Sequence, residues 1–120
     1  MELIVRKKID FGFEDTRGSL TQLVHEGFAQ VNVLITKKGV IRGGHYHKKS
    51  VEAFYVVSGS VEVTAAYENE VKQYVFRKGD FFEVHPYVIH SMFFEEDCIM
   101  VQMYDTCVEL PDGTKDIYTE

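Results

Sequence analysis

Gly39-Val-Ile-Arg-Gly-Gly-His45-Tyr-His47-Lys-Lys-Ser-Val-Glu52, closing at Gly59, is the stretch on which the fold turns. His45 and His47 are two apart, so on a strand both imidazoles point to one face. Glu52 has the opposite parity and joins them only if the chain turns between. Lys48-Lys49-Ser50 supplies a plausible turn, and Glu52 would then come from the neighbouring strand. Downstream, Gly79-Asp80-Phe-Phe-Glu-Val-His85-Pro86-Tyr87-Val-Ile-His90 ends a second strand pair. His90 follows a proline turn and can face back into the same cavity. Two or three imidazoles and one carboxylate at these spacings make an open-sided site for zinc, iron, manganese or nickel. Without metal the same groups make a general acid–base cluster, since imidazole titrates near neutrality.

Outward from this segment the chain reads as strands. Val31–Thr36, Ala53–Val57, Val61–Ala65, Gln73–Phe76 and Ile99–Tyr104 are short β-branched and aromatic runs. Val61, Val63 and Ala65 share one face, and Glu62 and Thr64 the other. Breaks fall at Lys37–Gly39, Ser58–Gly59, Glu68–Asn69, Lys78–Asp80 and Pro111–Gly113. Many short strands without a helical stretch predict an all-β sandwich or barrel. With 120 residues, one domain is expected over 1–120. Within it, 1–30 would form N-terminal strands able to serve as a dimer arm. The core barrel would occupy 31–105, and 106–120 a tail or one edge strand.

The formal net charge of −6 argues against nucleic acid and anionic lipid as partners. No apolar run approaches the ~20 residues of a membrane span, and the start MELIVRKKID lacks the apolar core of a signal peptide. Cys98 and Cys107 fit neither a disulfide framework nor a CxxC clip, so a cytoplasmic protein with two reduced thiols is expected. His25 and His85 read as structural or solvated. Phe81, Phe82, Phe93 and Phe94 read as barrel core. Glu95-Glu96-Asp97 reads as a solvated turn and Arg6-Lys7-Lys8 as a solvated strand end.

Gly39 through His45, His47 and Glu52 to Gly59 resembles, without a gap, the first cupin motif, G(X)5HXH(X)3,4E(X)6G. The interval from Gly79 to His90 is similar to the second, G(X)5PXG(X)2H(X)3N. There Pro86 is displaced by one residue, the inner glycine is missing, and Phe94 replaces asparagine. The resemblance implies a double-stranded β-helix, a small jelly roll. Two further strings narrow it. Asp15-Thr-Arg17-Gly18-Ser-Leu20 resembles the D-x-R-G-x-(F/L) element of cupins acting on nucleotide-linked sugars, and Arg42-Gly-Gly-His45 their R-G-x-H element. Arg42-Gly-Gly-His45-Tyr-His47-Lys48-Lys49 is similar to the R-G-x-H-A-H-K-K of the WxcM-like nucleotide-sugar 3,4-ketoisomerases. Tyr46 between the histidines, and Glu52 five after the second, resemble the C-terminal cupin of capsular polysaccharide reductase–epimerases. The 4-keto-6-deoxyhexose 3,5-epimerases share G-V-x-R-G-x-H-Y but usually lack the second histidine.

These resemblances imply an isomerase of thymidine- or uridine-diphosphate 4-keto-6-deoxyhexoses, in polysaccharide or glycan sugar biosynthesis. A base removes the proton on carbon 3, which the ketone at carbon 4 acidifies. Return to carbon 3 on the other face gives an epimerase, and return to carbon 4 a 3,4-ketoisomerase. The resemblance makes His45 the base and His47 the second acid–base group. Arg17 and Arg42 are candidate partners of substrate oxygens or diphosphate, with Tyr46 and Tyr104 as further substrate contacts. No cofactor is required if the chain is ketoisomerase-like; His45, His47, Glu52 and His90 are the ligands if a divalent metal is bound. A homodimer is expected, with the N-terminal strand reaching to the partner. The competing readings are a metal-dependent cupin of the small dioxygenase type and a non-catalytic sugar-binding cupin.

Overall fold

The computed structural model describes residues 2–119, and every regular element among them is a strand. In chain order these are β1 (Ile4–Lys7), β2 (Phe11–Asp15), β3 (Gly18–Gln22), β4 (Gln30–Thr36), β5 (Ile41–Tyr46) and β6 (Glu52–Ser58). There follow β7 (Ser60–Tyr67), β8 (Glu70–Arg77), β9 (Phe81–Val84), β10 (Ile89–Phe93), β11 (Cys98–Tyr104) and β12 (Tyr118–Thr119). One antiparallel sheet runs β1-β9-β6-β11-β4 and a second runs β12-β5-β10-β7-β8. β2 and β3 form a separate hairpin. The five runs read as strands from sequence lie in β4, β6, β7, β8 and β11.

The sheets pack through their inner faces, because alternation gives each strand one apolar side to remove from water. Val61, Val63 and Ala65 are buried on β7 while Glu62 between them is exposed. Phe54, Val56, Phe76, Phe82, Val84, Met92, Phe94 and Met100 fill the space. The rings of Phe76 and Phe82 stack with centroids 3.8 Å apart. Phe93 departs from the core expected of it. Its neighbours Met92 and Phe94 point inward, so parity sends Phe93 to the outer face, 38% exposed. A second cluster, Ala53, Phe81 and Met103, is covered from outside by Ile9, Leu23, Val24 and Phe28.

The N-terminal strand also departs from expectation. β1 pairs with β9 inside the first sheet, and Leu3 and Ile4 are buried in the chain's own core. The hairpin β2–β3 is different: all but Gln22 of its strand residues are exposed, including Phe11, Phe13 and Leu20. Of the two forms expected of the C-terminal stretch, tail or edge strand, the described residues take the edge strand. Glu109 bridges Lys115, Asp116 is fully buried, and β12 pairs Tyr118 with Tyr46 and Thr119 with His45. Gly59 must be glycine for two reasons: its φ is +82°, and a Cβ there would run into the carbonyl of Asp97.

Candidate active site

Where β4 and β5 face each other, a cavity of about 450 Å³ lies between the sheets. Arg42, His45, Glu52, His90 and Gln102 line it above a floor that includes Leu34, Phe54 and Met92. Arg42 and His45 are three apart on one strand, and simple alternation would put them on opposite faces. A bulge reconciles them. Against β10, His45 pairs with His90 and Arg42 with Met92, so Gly43 and Gly44 together oppose Ser91. Both glycines have positive φ, +97° and +78°, and a Cβ on Gly43 would sit 2.6 Å from the carbonyl of His90. The Gly-Gly pair thus inserts one residue and turns Arg42 into the cavity. Its Nε donates to Thr36 Oγ1 at 2.9 Å, which aims the guanidinium.

Glu52 opens β6 in the facing sheet rather than in the strand beside β5, because the turn at 48–50 carries the chain across the sandwich. Its Oε1 accepts from His47 Nε2 and from His90 Nε2, both at 3.0 Å. The other nitrogen of each ring faces a carbonyl: His47 Nδ1 lies 2.6 Å from Asp116 O, and His90 Nδ1 lies 3.1 Å from Val88 O. His45 stands over the pair, with ring centroids 5.1 Å from His47 and 4.9 Å from His90. Glu52 is 1% exposed and His47 and His90 are 2% exposed, so these polar groups are as deep as the core.

Two supports come from residues that the sequence reading passed over. Asp116 is a clamp. Its carboxylate accepts the backbone N–H groups of Lys48, Lys49 and Ser50, each at 2.9 Å, while its carbonyl takes the His47 ring. Gln102 Nε2 donates to Glu52 Oε2 at 2.6 Å, and Asn32 Nδ2 donates to Gln102 Oε1 at 2.9 Å. Neither has a motif to announce it. The one available signal is a polar residue on the inward parity of an otherwise apolar strand, as with Gln102 two after Met100.

The electrostatics follow from this packing. Burial opposes charge on Glu52, but the bonds from His47 and His90 win and hold its carboxyl well below the usual range. Burial also opposes charge on His47, yet its bond to Glu52 and the Asp116 carbonyl raise it. His45 goes the other way. Burial, then repulsion from His90 and His47, brings it down to about 4 despite the pull of Glu52. It is therefore a neutral imidazole at neutral pH, facing a cavity. Tyr104 is held neutral by burial and the Glu52 charge, which push its hydroxyl upward.

The donor set also fits a divalent metal. His45, His47, His90 and Glu52 offer one ligand atom each, all within 4.8 Å of one another. The carbonyls at Nδ1 of His47 and His90 would receive N–H bonds and leave both Nε2 lone pairs free for a cation.

Residues 13–106 match the family described as the polysaccharide biosynthesis C-terminal domain. The chain belongs to this family. No curated protein of similar sequence was found. Among solved structures, a double mutant of the 3,4-ketoisomerase QdtA from Thermoanaerobacterium thermosaccharolyticum, in complex with TDP, is 26% identical. That match covers 86% of this chain and 78% of QdtA, with a TM-score of 0.70. WlaRA, a TDP-fucose-3,4-ketoisomerase from Campylobacter jejuni, shares 16% identity over 98% of this chain and 87% of its own, with a TM-score of 0.75. The capsular polysaccharide assembling protein CapF from Staphylococcus aureus is 24% identical over 91% of this chain, with a TM-score of 0.68. This chain spans 32% of CapF. The fold is the cupin double-stranded β-helix.

In this polysaccharide biosynthesis C-terminal domain, His45, Glu52, His90 and Arg42 converge on one cavity. His47 touches the same cluster from behind Glu52 and does not line the cavity. Tyr104 is buried edge-on to His47, ring centroids 5.4 Å apart. Tyr46 lies outside the cavity, because the residue between two inward histidines must point outward; its ring packs on Tyr87 and Tyr118. Arg17 lies at the tip of the β2–β3 hairpin, paired with Asp15 at 2.6 Å and 83% exposed. His25 and His85 are exposed and bonded to Asp10 and Glu83.

Proposed function

We propose that this protein is an isomerase of nucleotide-diphosphate-linked 4-keto-6-deoxyhexoses, a 3,4-ketoisomerase or 3-epimerase, serving cell-surface polysaccharide or glycan sugar synthesis. One observation carries the reading: a neutral imidazole, His45, faces a cavity beside a guanidinium and a buried histidine–carboxylate cluster. A neutral imidazole is the form that accepts a proton. His45 Nε2 or Nδ1 takes the proton from carbon 3, and the electron pair moves through carbon 4 to the ketone oxygen. The resulting enediolate oxygen meets Arg42, aimed by Thr36, where preorganised positive charge is most effective. Return of the proton to carbon 4, with the carbon 3 hydroxyl proton passing to the carbon 4 oxygen, completes the ketone shift. Return to carbon 3 from the opposite face inverts it.

His90 lines the cavity and His47 does not, so His90 is the better placed second acid–base group and His47 holds Glu52 from behind. Tyr104 packs edge-on against His47 with its hydroxyl bonded to Glu52, and Tyr46 shapes the outer wall of β5. Arg17 is outside the cavity of its own chain and would meet a diphosphate only from a mobile hairpin or across a subunit boundary. A homodimer is supported by two unpartnered apolar surfaces: the exposed β2–β3 hairpin, and the outer face of β4, where Val31, Val33 and Ile35 are 60%, 64% and 72% exposed. Two free cysteines, one buried and one exposed, agree with the reducing cytoplasm. Among the described residues no helix is long and apolar enough to cross a membrane.

The second reading is a metal-dependent cupin enzyme, favoured by the four converging donors. His45, His47, Glu52 and His90 would hold the ion, which when bound supplies a Lewis acid for a substrate oxygen. Proton NMR in heavy water separates the two. Incubation with TDP-4-keto-6-deoxyglucose, and with its uridine counterpart, is expected to place deuterium at carbon 3 of an epimer or of recovered substrate, or at carbon 4 of a 3-keto isomer, and the product's couplings distinguish the two. Exchange that survives chelator assigns the chemistry to the chain's own side chains rather than to a metal. No exchange on either nucleotide overturns the isomerase reading and makes metal analysis the next step.

A further inference from the structure

Glu52 has two oxygens, and they are used differently. Oε1 accepts from both His47 and His90. Oε2 accepts from Gln102 Nε2 at 2.6 Å, a short charge-assisted bond. A carboxylate only accepts, so Gln102 must present its amino group to Glu52 and turn its carbonyl away. That carbonyl meets Asn32 Nδ2 at 2.9 Å. Asn32 and Gln102 are directly opposite each other in the β4–β11 register, and Glu52 lies on β6, the next strand over. Three strands of one sheet thus carry a relay with one direction: Asn32 donates to Gln102, and Gln102 donates to Glu52.

We propose that Asn32 and Gln102 are positioning residues for Glu52. The relay occupies Oε2, leaves Oε1 as the single oxygen serving the imidazoles, and does so through its hydrogen-bond polarity. This deepens the reading of the His45–His47–Glu52–His90 cluster as the functional site and rests on it. Asn32 touches neither Glu52 nor an imidazole, yet its donated bond locks the Gln102 amide in the orientation that the carboxylate requires. N32D, nearly identical in shape, sets an acceptor against the Gln102 carbonyl. The amide then either turns over, aiming its oxygen at Glu52, or loses its lock. N32L removes the donor but leaves Gln102 free to keep its amino group on the carboxylate.

The test reads the imidazole Nε2–H resonances of His47 and His90 by nitrogen-correlated NMR of the full chain treated with chelator. N32D is expected to shift or broaden both signals, and N32L to leave both near wild type. In turnover of TDP-4-keto-6-deoxyglucose, N32D should lower kcat about tenfold with KM within about twofold, and N32L should lower kcat about twofold. N32L matching or exceeding N32D at the imidazole signals means that bulk rather than polarity matters, and the proposal falls. Unchanged signals in N32D overturn it as well. Should N32D fail to fold, Q102L is read in the same spectrum: it removes the donor to Oε2, and two unmoved signals overturn the proposal. Loss of the NMR contrast is separable from loss of the isomerase reading, since the spectrum needs no substrate.

Discussion

On β6, Phe54 and Val56 belong to the core while Glu52, two residues earlier on the same face, belongs to the site. On β10 the same step separates Met92 from His90, and on β11 it separates Met100 from Gln102. The two layers share strands, parity and depth: Phe54 is 2% exposed and Glu52 1%. They differ in what makes burial tolerable. Phe54 and Met100 gain simply by leaving water. Glu52, His47 and His90 lose hydration, and only mutual bonds offset that loss. Among the described residues no buried side-chain polar atom lacks a partner. The core is therefore a sum of replaceable contacts, and the site layer is one connected network.

That contrast can be broken from either side. H45N is expected to lower isomerisation about 10²–10⁴-fold, the usual share of a general base, while leaving the unfolding midpoint close to wild type. A matching loss in stability would mean that His45 belongs to the network rather than to the cavity. F82A, in the core layer, should cost about 3–5 kcal/mol in denaturant unfolding with little change in rate per folded molecule. E52Q should do both. Its unfolding free energy should fall by about 3 kcal/mol, because removing the carboxylate strands buried charge on His47. If E52Q were as stable as wild type, the connected-network description would be wrong.

Acidity sharpens the contrast further. His45 is brought down to about 4, so in chelator-treated protein the acid limb of kcat/KM should lie near pH 4–5, well below the ~6.5 of an ordinary histidine. The sign for stability is the same. Between the unfolded value and about 4 the unfolded chain binds a proton that folded His45 refuses, so stability falls as pH drops through that window. The smallest expected effect is at the rim. His85 is half exposed and bonded to Glu83, and H85A should change unfolding free energy by about 0.5 kcal/mol or less.

Much of this was legible in advance because it is local. The HxH spacing puts two rings on one face, the 48–50 turn admits Glu52, and the glycines of the motif mark real turns. The grouping of His45, His47 and Glu52 follows from that, while the cupin fold came from the resemblance of the two motifs and His90 from the second of them. Other features were not legible, because they depend on what lies across the sandwich. Alternation alone misplaces Arg42 relative to His45, since nothing local says that Gly43-Gly44 is a bulge rather than two strand residues. Phe93 reads like its neighbour Phe94 in composition and differs only in parity. Tyr46 sits in the motif yet faces outward for the same reason. Asp116 lies 64 residues beyond Glu52 in a polar tail, with no pattern connecting it to the turn it clamps.

By itself the sequence determined an all-β chain and the imidazoles and carboxylate that meet, while its motifs supplied the resemblance to the cupins. Alternation and turn chemistry act over a few residues, and these outcomes need no more than that. Tertiary structure alone decided the role each group can take. His45 faces the cavity neutral, His47 is locked behind Glu52, and Asn32, Gln102 and Asp116 orient the rest. Protonation and hydrogen-bond direction depend on burial and on partners from distant strands, and those exist only once the two sheets have closed.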